Sequence, residues 1–279
     1  MVHICAEIGS NHMGSLELAL EHIRFAKECG ANSTKWQLFR AESLESDPVK
    51  QAKRKPYELP LEWLPILKEE SVKRGLLFGV TPFALDLVEP LRGIVDFVKI
   101  AALDMCWDDL IIKAASLDVP LIISVAGATH EELNHLDRYV LHQRLAWEVT
   151  YLHGVTHYPA TLNEMNLLKI RELQDEFPEA WTGLSDHTLR YEAAVIATAL
   201  GASWIEKHFR CSFKAAHDLK IYNSPDYMHS ANPTEMRLLV EKIRETETAL
   251  GVPDHYGPVE SEKGLFGLAR RSNSKTLRG

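Results

Sequence analysis

Residues 95–124 read VDFVKIAALDMCWDDLIIKAASLDVPLIIS. Val95–Ile100 is a short, mostly apolar run, Asp108–Leu117 follows it with a helical pattern, and Val119–Ser124 is a second apolar run. A strand, a helix and a strand in that order, with no hairpin turn between the strands, form a parallel βαβ unit. The same alternation extends in both directions. Apolar strand signals also fall at Val2–Ile8, Asn32–Leu38, Leu76–Val80, Glu148–His153, Trp181–Leu184 and Ser203–His208. Between them lie helical patterns. The first is capped by Ser15, carries Leu16, Ala19, Leu20, Ile23 and Ala26 at helical spacing, and stops at Gly30. Others run over Pro60–Arg74, Ala84–Leu91, Thr129–Leu141, Leu162–Glu176 and Tyr191–Leu200. The last starts at Asn232 and Pro233, carries Met236, Leu239, Val240, Ile243 and Leu250, and ends at Gly251. Eight such units with continuous apolar strands predict a parallel sheet covered on both faces. A doubly wound sheet would carry a glycine-rich phosphate fingerprint after its first strand, and Gly9–Gly14 does not match it. The expectation is an α/β fold of the TIM (β/α)8-barrel type over residues 1–251, with 252–279 a linker-like tail.

The chain has 279 residues, and about 250 is the usual size of one such barrel, so length demands no second domain. A net charge of −8 and a pI near 5.9 argue against a nucleic-acid surface, which shows a basic excess. The four cysteines, Cys5, Cys29, Cys106 and Cys211, have no metal or redox spacing and read as reduced thiols. No apolar run approaches the roughly 20 residues of a membrane span, and the N-terminus lacks a signal peptide. The expectation is a cytoplasmic protein without nucleic-acid or membrane partners. Two segments after strands, Arg40–Leu59 and Phe209–Ala231, are long, show no clear element, and read as lids or binding loops. Lys50, Lys53, Arg54 and Lys55 give the first a basic character, and the tail Arg270–Arg278 is basic too.

Nearly every strand ends in a polar residue, at the face where barrels of this kind place their catalysts. Glu7, Lys35 and Gln37 end the first two strands. Thr81, Lys99 and Ser124 follow on strands three to five, and His153 and Thr156 on strand six. Ser185, Asp186 and His187 follow strand seven, and Glu206, Lys207 and His208 close strand eight. Buried charges are costly unless they are paired or bind something. Lys35 and Lys99 on neighbouring strand ends suit an anionic substrate, while pairing with Glu7, Asp104 or Glu206 is the structural alternative. His187 and His208 end adjacent strands about 4.8 Å apart, a spacing at which two imidazoles can share a divalent cation. A lone His153 reads as a core residue, and Lys207, out of phase with Glu206 and His208, should leave the barrel on its outer side.

These residues sit in segments that resemble a known family. AEIGSNHMG, KWQ, TPF, VKIA, THYPAT, LSDHT and IEKHF occur in the order and approximate spacing of the N-acetylneuraminate synthases and their legionaminate, pseudaminate and spore-coat relatives. The resemblance covers about residues 3–250. It implies a metal-dependent transferase that condenses phosphoenolpyruvate with an aldehyde sugar, an N-acetylmannosamine-like hexosamine, to a nine-carbon 2-keto sugar acid and phosphate. By position it implies that Lys35, Thr81, Lys99, Ser124 and Ser185 bind phosphoenolpyruvate. Gln37, Tyr158 and Asp218 would contact the sugar, His187 and His208 would hold a divalent metal, Mn2+ or Mg2+, and Glu7, Asp104 and Lys99 would carry catalysis. A homodimer is also implied.

The sequence departs from the family pattern in several places. KI(A/G)S becomes KIAA, so Ala102 replaces a phosphate-contacting hydroxyl. STGM becomes SVAG, and Thr156 stands where Asn or Ser is usual. The GPDH-like segment after strand eight reads AAHDLK, making Asp218 a shifted counterpart. A C-terminal antifreeze-like domain is expected to be absent, with ARRSNSKT resembling the linker that would lead to it. Two other readings fit the residues: a barrel aldolase or lyase with a Schiff-base lysine at Lys99 or Lys35, and a non-catalytic barrel serving as a binding or assembly protein.

Overall fold

Eight parallel strands close on themselves in sequence order in the computed structural model, which describes residues 1–140, 146, 148–211, 224–251 and 259–265. The strands are β1 (His3–Gly9), β2 (Ser33–Leu38), β3 (Leu77–Pro82), β4 (Phe97–Ile100), β5 (Leu121–Ser124), β6 (Val149–Gly154), β7 (Trp181–Asp186) and β8 (Trp204–His208). β8 pairs with β1 through His3↔Trp204 to Glu7↔His208 and completes the ring. This is the TIM-barrel fold. The helices described are α1 (Leu16–Glu28), α2 (Ala41–Leu44), α3 (Pro48–Arg54), α4 (Trp63–Lys73), α5 (Asp108–Ala115), α6 (His130–Val140), α7 (Lys169–Glu176), α8 (Glu192–Ala199) and α9 (Pro233–Leu250).

The local signals act as their chemistry requires. Ser15 Oγ accepts the Leu18 amide at 3.2 Å and starts α1. Asn232 Oδ1 accepts the amides of Thr234 and Glu235 while Glu235 reaches back to the Asn232 amide, a capping box at the head of α9. Two expectations need correction. The segment Arg40–Leu59 is not elementless: Asp47 caps α3 by accepting the Val49 amide, with Pro48 at the first position. The stretch Ala84–Leu91 is not a regular helix but two 3-10 turns, Leu85–Leu87 and Glu89–Leu91. Pro90 has no amide hydrogen to continue an α-helical ladder.

Side chains alternate across each strand, so every second residue faces the lumen. The lower lumen is apolar. Phe97 of β4 packs with Cys5, Ile122 and Leu152, and the Trp204 ring meets it edge-on with centroids 5.0 Å apart. This filling needs glycine opposite: a Cβ on Gly79 would lie 2.1 Å from the Phe97 ring, and one on Gly183 would lie 2.3 Å from the Trp204 carbonyl. The larger apolar cluster lies between strands and helices, with Trp36 and Tyr151 among its fully buried side chains.

Packing divides the chain into Met1–Glu247, which contains the barrel, and Thr248–Gly279. In the second unit a 3-10 turn spans Glu260–Leu265; Arg270–Arg278 lies outside the described residues. Among the described residues no helix is long and apolar enough to cross a membrane.

Candidate active site

Two residues above the Phe97 layer the lumen turns polar. Strand alternation brings Glu7, Lys35, Thr81, Lys99, Ser124, Ser185 and Glu206 inward, and Gln37, Thr156, Tyr158, His187 and His208 stand above them. All line one cavity of about 330 Å3, walled elsewhere by Phe83, Ala101, Ala102, Leu103 and Ala126. Ten of the twelve side chains singled out from the sequence for a role thus meet in one place. The other two do not. Asp104 sits in the 3-10 turn Ala102–Asp104 after β4 and is not among the lining residues; burial raises its carboxyl to about 6. Asp218 lies outside the described residues.

The charged floor of the cavity is a four-member cluster. Lys35 Nζ is 2.5 Å from Glu7 Oε2 and 3.8 Å from Glu206 Oε1, and it donates to Thr81 Oγ1 at 2.9 Å. Lys99 Nζ donates to Glu206 Oε1. All four side chains are at most 6% exposed. Burial pushes Glu7 up to about 7, and the adjacent Lys35 only partly offsets it. Glu206 is desolvated as strongly, but two ammonium groups, Lys35 and Lys99, hold it down at about 2. Lys99 is lowered by burial against the pull of Glu206. Glu7 Oε1, Glu206 Oε2 and His208 Nδ1 stay buried here without a hydrogen bond or an ion-pair contact.

His187 Nδ1 donates to the Val155 carbonyl at 2.5 Å, which leaves Nε2 as an acceptor for the Tyr158 hydroxyl at 2.9 Å. The His187 and His208 rings stand 5.9 Å apart, between centroids. Burial lowers His187 to about 4 and His208 to about 3, so both are neutral near pH 7, the form that ligates metal. His153 Nε2 meets the Met165 carbonyl at 2.6 Å and is a core residue outside the cavity. Lys207 points away from the lumen, as the strand phase requires, and pairs with Asp186 at 2.9 Å.

Two residues beside the site were missed in the sequence. Asp226 and His229 follow β8 at the far end of its loop and approach His208. The signal was present: Ser224-Pro225-Asp226 repeats the Pro-Asp of the GPDH-like segment six residues before Asn232. Gly9 makes the approach possible, since its φ is +54° and a Cβ there would lie 2.5 Å from Asp226 Oδ2.

Comparison with known proteins gives one consistent result. The NeuB family model matches residues 22–255. The chain is 34% identical over 266 residues to the pseudaminic acid synthase of Campylobacter jejuni, covering 90% of this chain and 75% of that protein. It is 32% identical over 288 residues to the N,N'-diacetyllegionaminic acid synthase of Legionella pneumophila, covering 96% and 78%. The crystal structure of the N-acetylneuraminic acid (sialic acid) synthetase of Leptospira borgpetersenii in complex with citrate matches with a TM-score of 0.86 at 30% identity, covering 98% of this chain and 93% of that one.

Proposed function

The chain belongs to the NeuB family of phosphoenolpyruvate-condensing synthases, and from that premise we propose its substrate and the roles of its residues. It joins phosphoenolpyruvate to the open-chain aldehyde of an N-acylated hexosamine of the N-acetylmannosamine type, giving a nine-carbon 2-keto sugar acid and inorganic phosphate. The observation that carries this reading is the pair of buried ammonium groups, Lys35 and Lys99, at the floor of a cavity also lined by the hydroxyls of Thr81, Ser124 and Ser185.

Phosphoenolpyruvate brings a phosphate and a carboxylate. Lys35 and Lys99 neutralise these, and the three hydroxyls donate hydrogen bonds that remain in place as charge moves. C3 of the enol attacks the aldehyde carbon, water adds to C2, and the C2–O bond to phosphate breaks. The water must lose a proton, and Glu7, whose carboxyl titrates at about 7, is suited to accept it. Asp104 does not line the cavity, so that role falls to Glu7. Gln37 and Tyr158, which line the same cavity, contact the sugar hydroxyls in this reading.

The side chains also fit a divalent cation, Mn2+ or Mg2+. Neutral imidazoles border the cavity, His187 is fixed in one tautomer by the Val155 carbonyl, and His208 Nδ1 is buried without a partner. When bound there, such an ion polarises the aldehyde as a Lewis acid.

The decisive experiment is phosphate release from phosphoenolpyruvate with Mn2+ or Mg2+ across a panel of aldehyde sugars. Release dependent on an N-acylated hexosamine is expected. Release with no member of the panel, under either ion, would overturn the reading.

A further inference from the structure

A second cavity, of about 160 Å3, opens on the outer side of β5 and β6 between α6 and α7. At its back stands His153, 5% exposed. The Met165 carbonyl, 2.6 Å from His153 Nε2, can only accept, so Nε2 carries the ring hydrogen. Burial lowers the imidazole's pKa against the pull of the Met165 carbonyl, and the neutral ring keeps a lone pair on Nδ1. Among the described residues nothing donates to that atom. It is not sealed off as His208 Nδ1 is, so it faces the cavity. Val125, Ala128, Leu133 and Leu173 form apolar walls. Lys169, Glu172 and the pair His130–Glu176, 3.5 Å apart, bring both signs of charge to the exposed rim. An apolar cavity of about 150 Å3 holds one benzene molecule, so this one takes a ring of that size. Its inner end is neutral, and an ion there would be desolvated without an opposite charge. The group that meets Nδ1 is therefore an uncharged O–H or N–H.

We infer that this cavity is an effector site for a ring-sized, uncharged molecule that donates one hydrogen bond to His153. The two cavities lie back to back across β5 and β6. Ala126 lines the substrate cavity, and its chain neighbours Val125 and Gly127 line the second. His153 stands two residues before Val155, whose carbonyl fixes His187. A ligand that wedges Val125 or draws on His153 therefore shifts backbone that carries Ser124 and orients His187. By linkage, phosphoenolpyruvate changes the affinity for the effector by the same factor as the effector changes that for phosphoenolpyruvate. The effector role rests on the reading that the lumen binds phosphoenolpyruvate; the binding site itself does not.

Phenol is the probe, and toluene, the same shape without the donor, is its control. In nitrogen NMR of the full chain, phenol is expected to shift the His153 Nδ1 resonance upfield and toluene to leave it in place. Calorimetry should show phenol held about 2- to 10-fold more tightly than toluene, the value of one net hydrogen bond. His153→Leu should erase that preference. With phenol saturating, the Kd for phosphoenolpyruvate, also read by calorimetry, should change by about 5-fold or more. An unmoved His153 resonance, or equal affinity for phenol and toluene, would overturn the site. A phosphoenolpyruvate Kd that ignores phenol would overturn the effector role. If His153→Leu does not fold, the native resonance decides alone. Phenol bound at His153 in a protein that does not bind phosphoenolpyruvate would sink the proposed reaction and leave this site standing.

Discussion

Glu206 and Lys207 are consecutive on β8, yet their side chains enter two different buried ionic clusters. Lys207 faces outward and is saturated: its ammonium meets Asp186 Oδ2 at 2.9 Å, the Arg190 carbonyl at 3.0 Å and the Thr188 carbonyl. Asp186 Oδ1 in turn takes the amide and hydroxyl of Thr188. Glu206 faces inward, into a cluster that leaves Glu206 Oε2, Glu7 Oε1 and His208 Nδ1 without hydrogen bonds. Both clusters are buried, and only one is complete. A complete buried cluster is structural, because every charge has offset its own desolvation. An incomplete one beside a cavity is a place where a ligand finishes the job.

The difference is open to direct attack, most strongly on the outer cluster. Lys207→Met leaves Asp186 buried and uncompensated, a situation that costs about 3–5 kcal/mol. Urea unfolding should show a loss of that size. A loss as small as that of a surface substitution would remove the structural reading of Lys207.

His22 is the control for unsatisfied atoms away from any ligand. It lies on α1, its Nδ1 bonded to the Leu18 carbonyl at 2.7 Å and its ring packed edge-on to Phe209, while Nε2 has no partner. Burial lowers it from 6.5 to about 4, a displacement equivalent to about 3 kcal/mol. Between those pH values the unfolded chain binds a proton that the native chain refuses, so stability rises with pH there. Its contribution is complete above about pH 6.5, is lost as pH falls towards about 4, and changes no further below that. His22→Leu should remove this part of the acid slope in pH-dependent unfolding curves; an unchanged slope would contradict it.

Lys99→Met attacks the inner cluster. Glu206 keeps Lys35 at 3.8 Å, so the loss of stability should be smaller than for Lys207→Met. A charged hydrogen bond to substrate contributes about 1.5–3 kcal/mol, which predicts a rise of about 10- to 100-fold in KM for phosphoenolpyruvate with little change in KM for the sugar. Equal effects on both constants would refute the assignment. The smallest effect belongs to Ala102, a cavity wall without the hydroxyl expected from its relatives. Ala102→Ser adds one neutral donor, worth about 0.5–1.5 kcal/mol, and should lower KM for phosphoenolpyruvate by a few fold; an increase would mean that the hydroxyl crowds the site.

The parts of this molecule that were legible in sequence are those governed by short-range rules. Strand alternation alone puts Lys35, Lys99, Glu206 and His208 at the polar end of the lumen and Lys207 on the other face. Ser15, Asn232 and Pro233 marked helix starts because capping involves residues two or three apart. What was missed depends on contacts across the chain. Ser10 and Asp226 are separated by 216 positions, and nothing near either residue announces the pairing. The family resemblance implies a catalytic role for Asp104, but the turn that carries it presents Leu103 to the cavity instead. The Asp47-Pro48 start of α3 was a legible short-range signal, obscured by the polar composition around it.

Phe97, seated against Gly79 and flanked by Trp204, closes the barrel beneath Lys99. Among the described residues the cavity is therefore closed below Lys99, and its upper lining includes Gln37 and His208. For a two-substrate reaction such a vessel imposes a queue. On the proposed reaction, phosphoenolpyruvate is expected to enter before the sugar and phosphate to leave last.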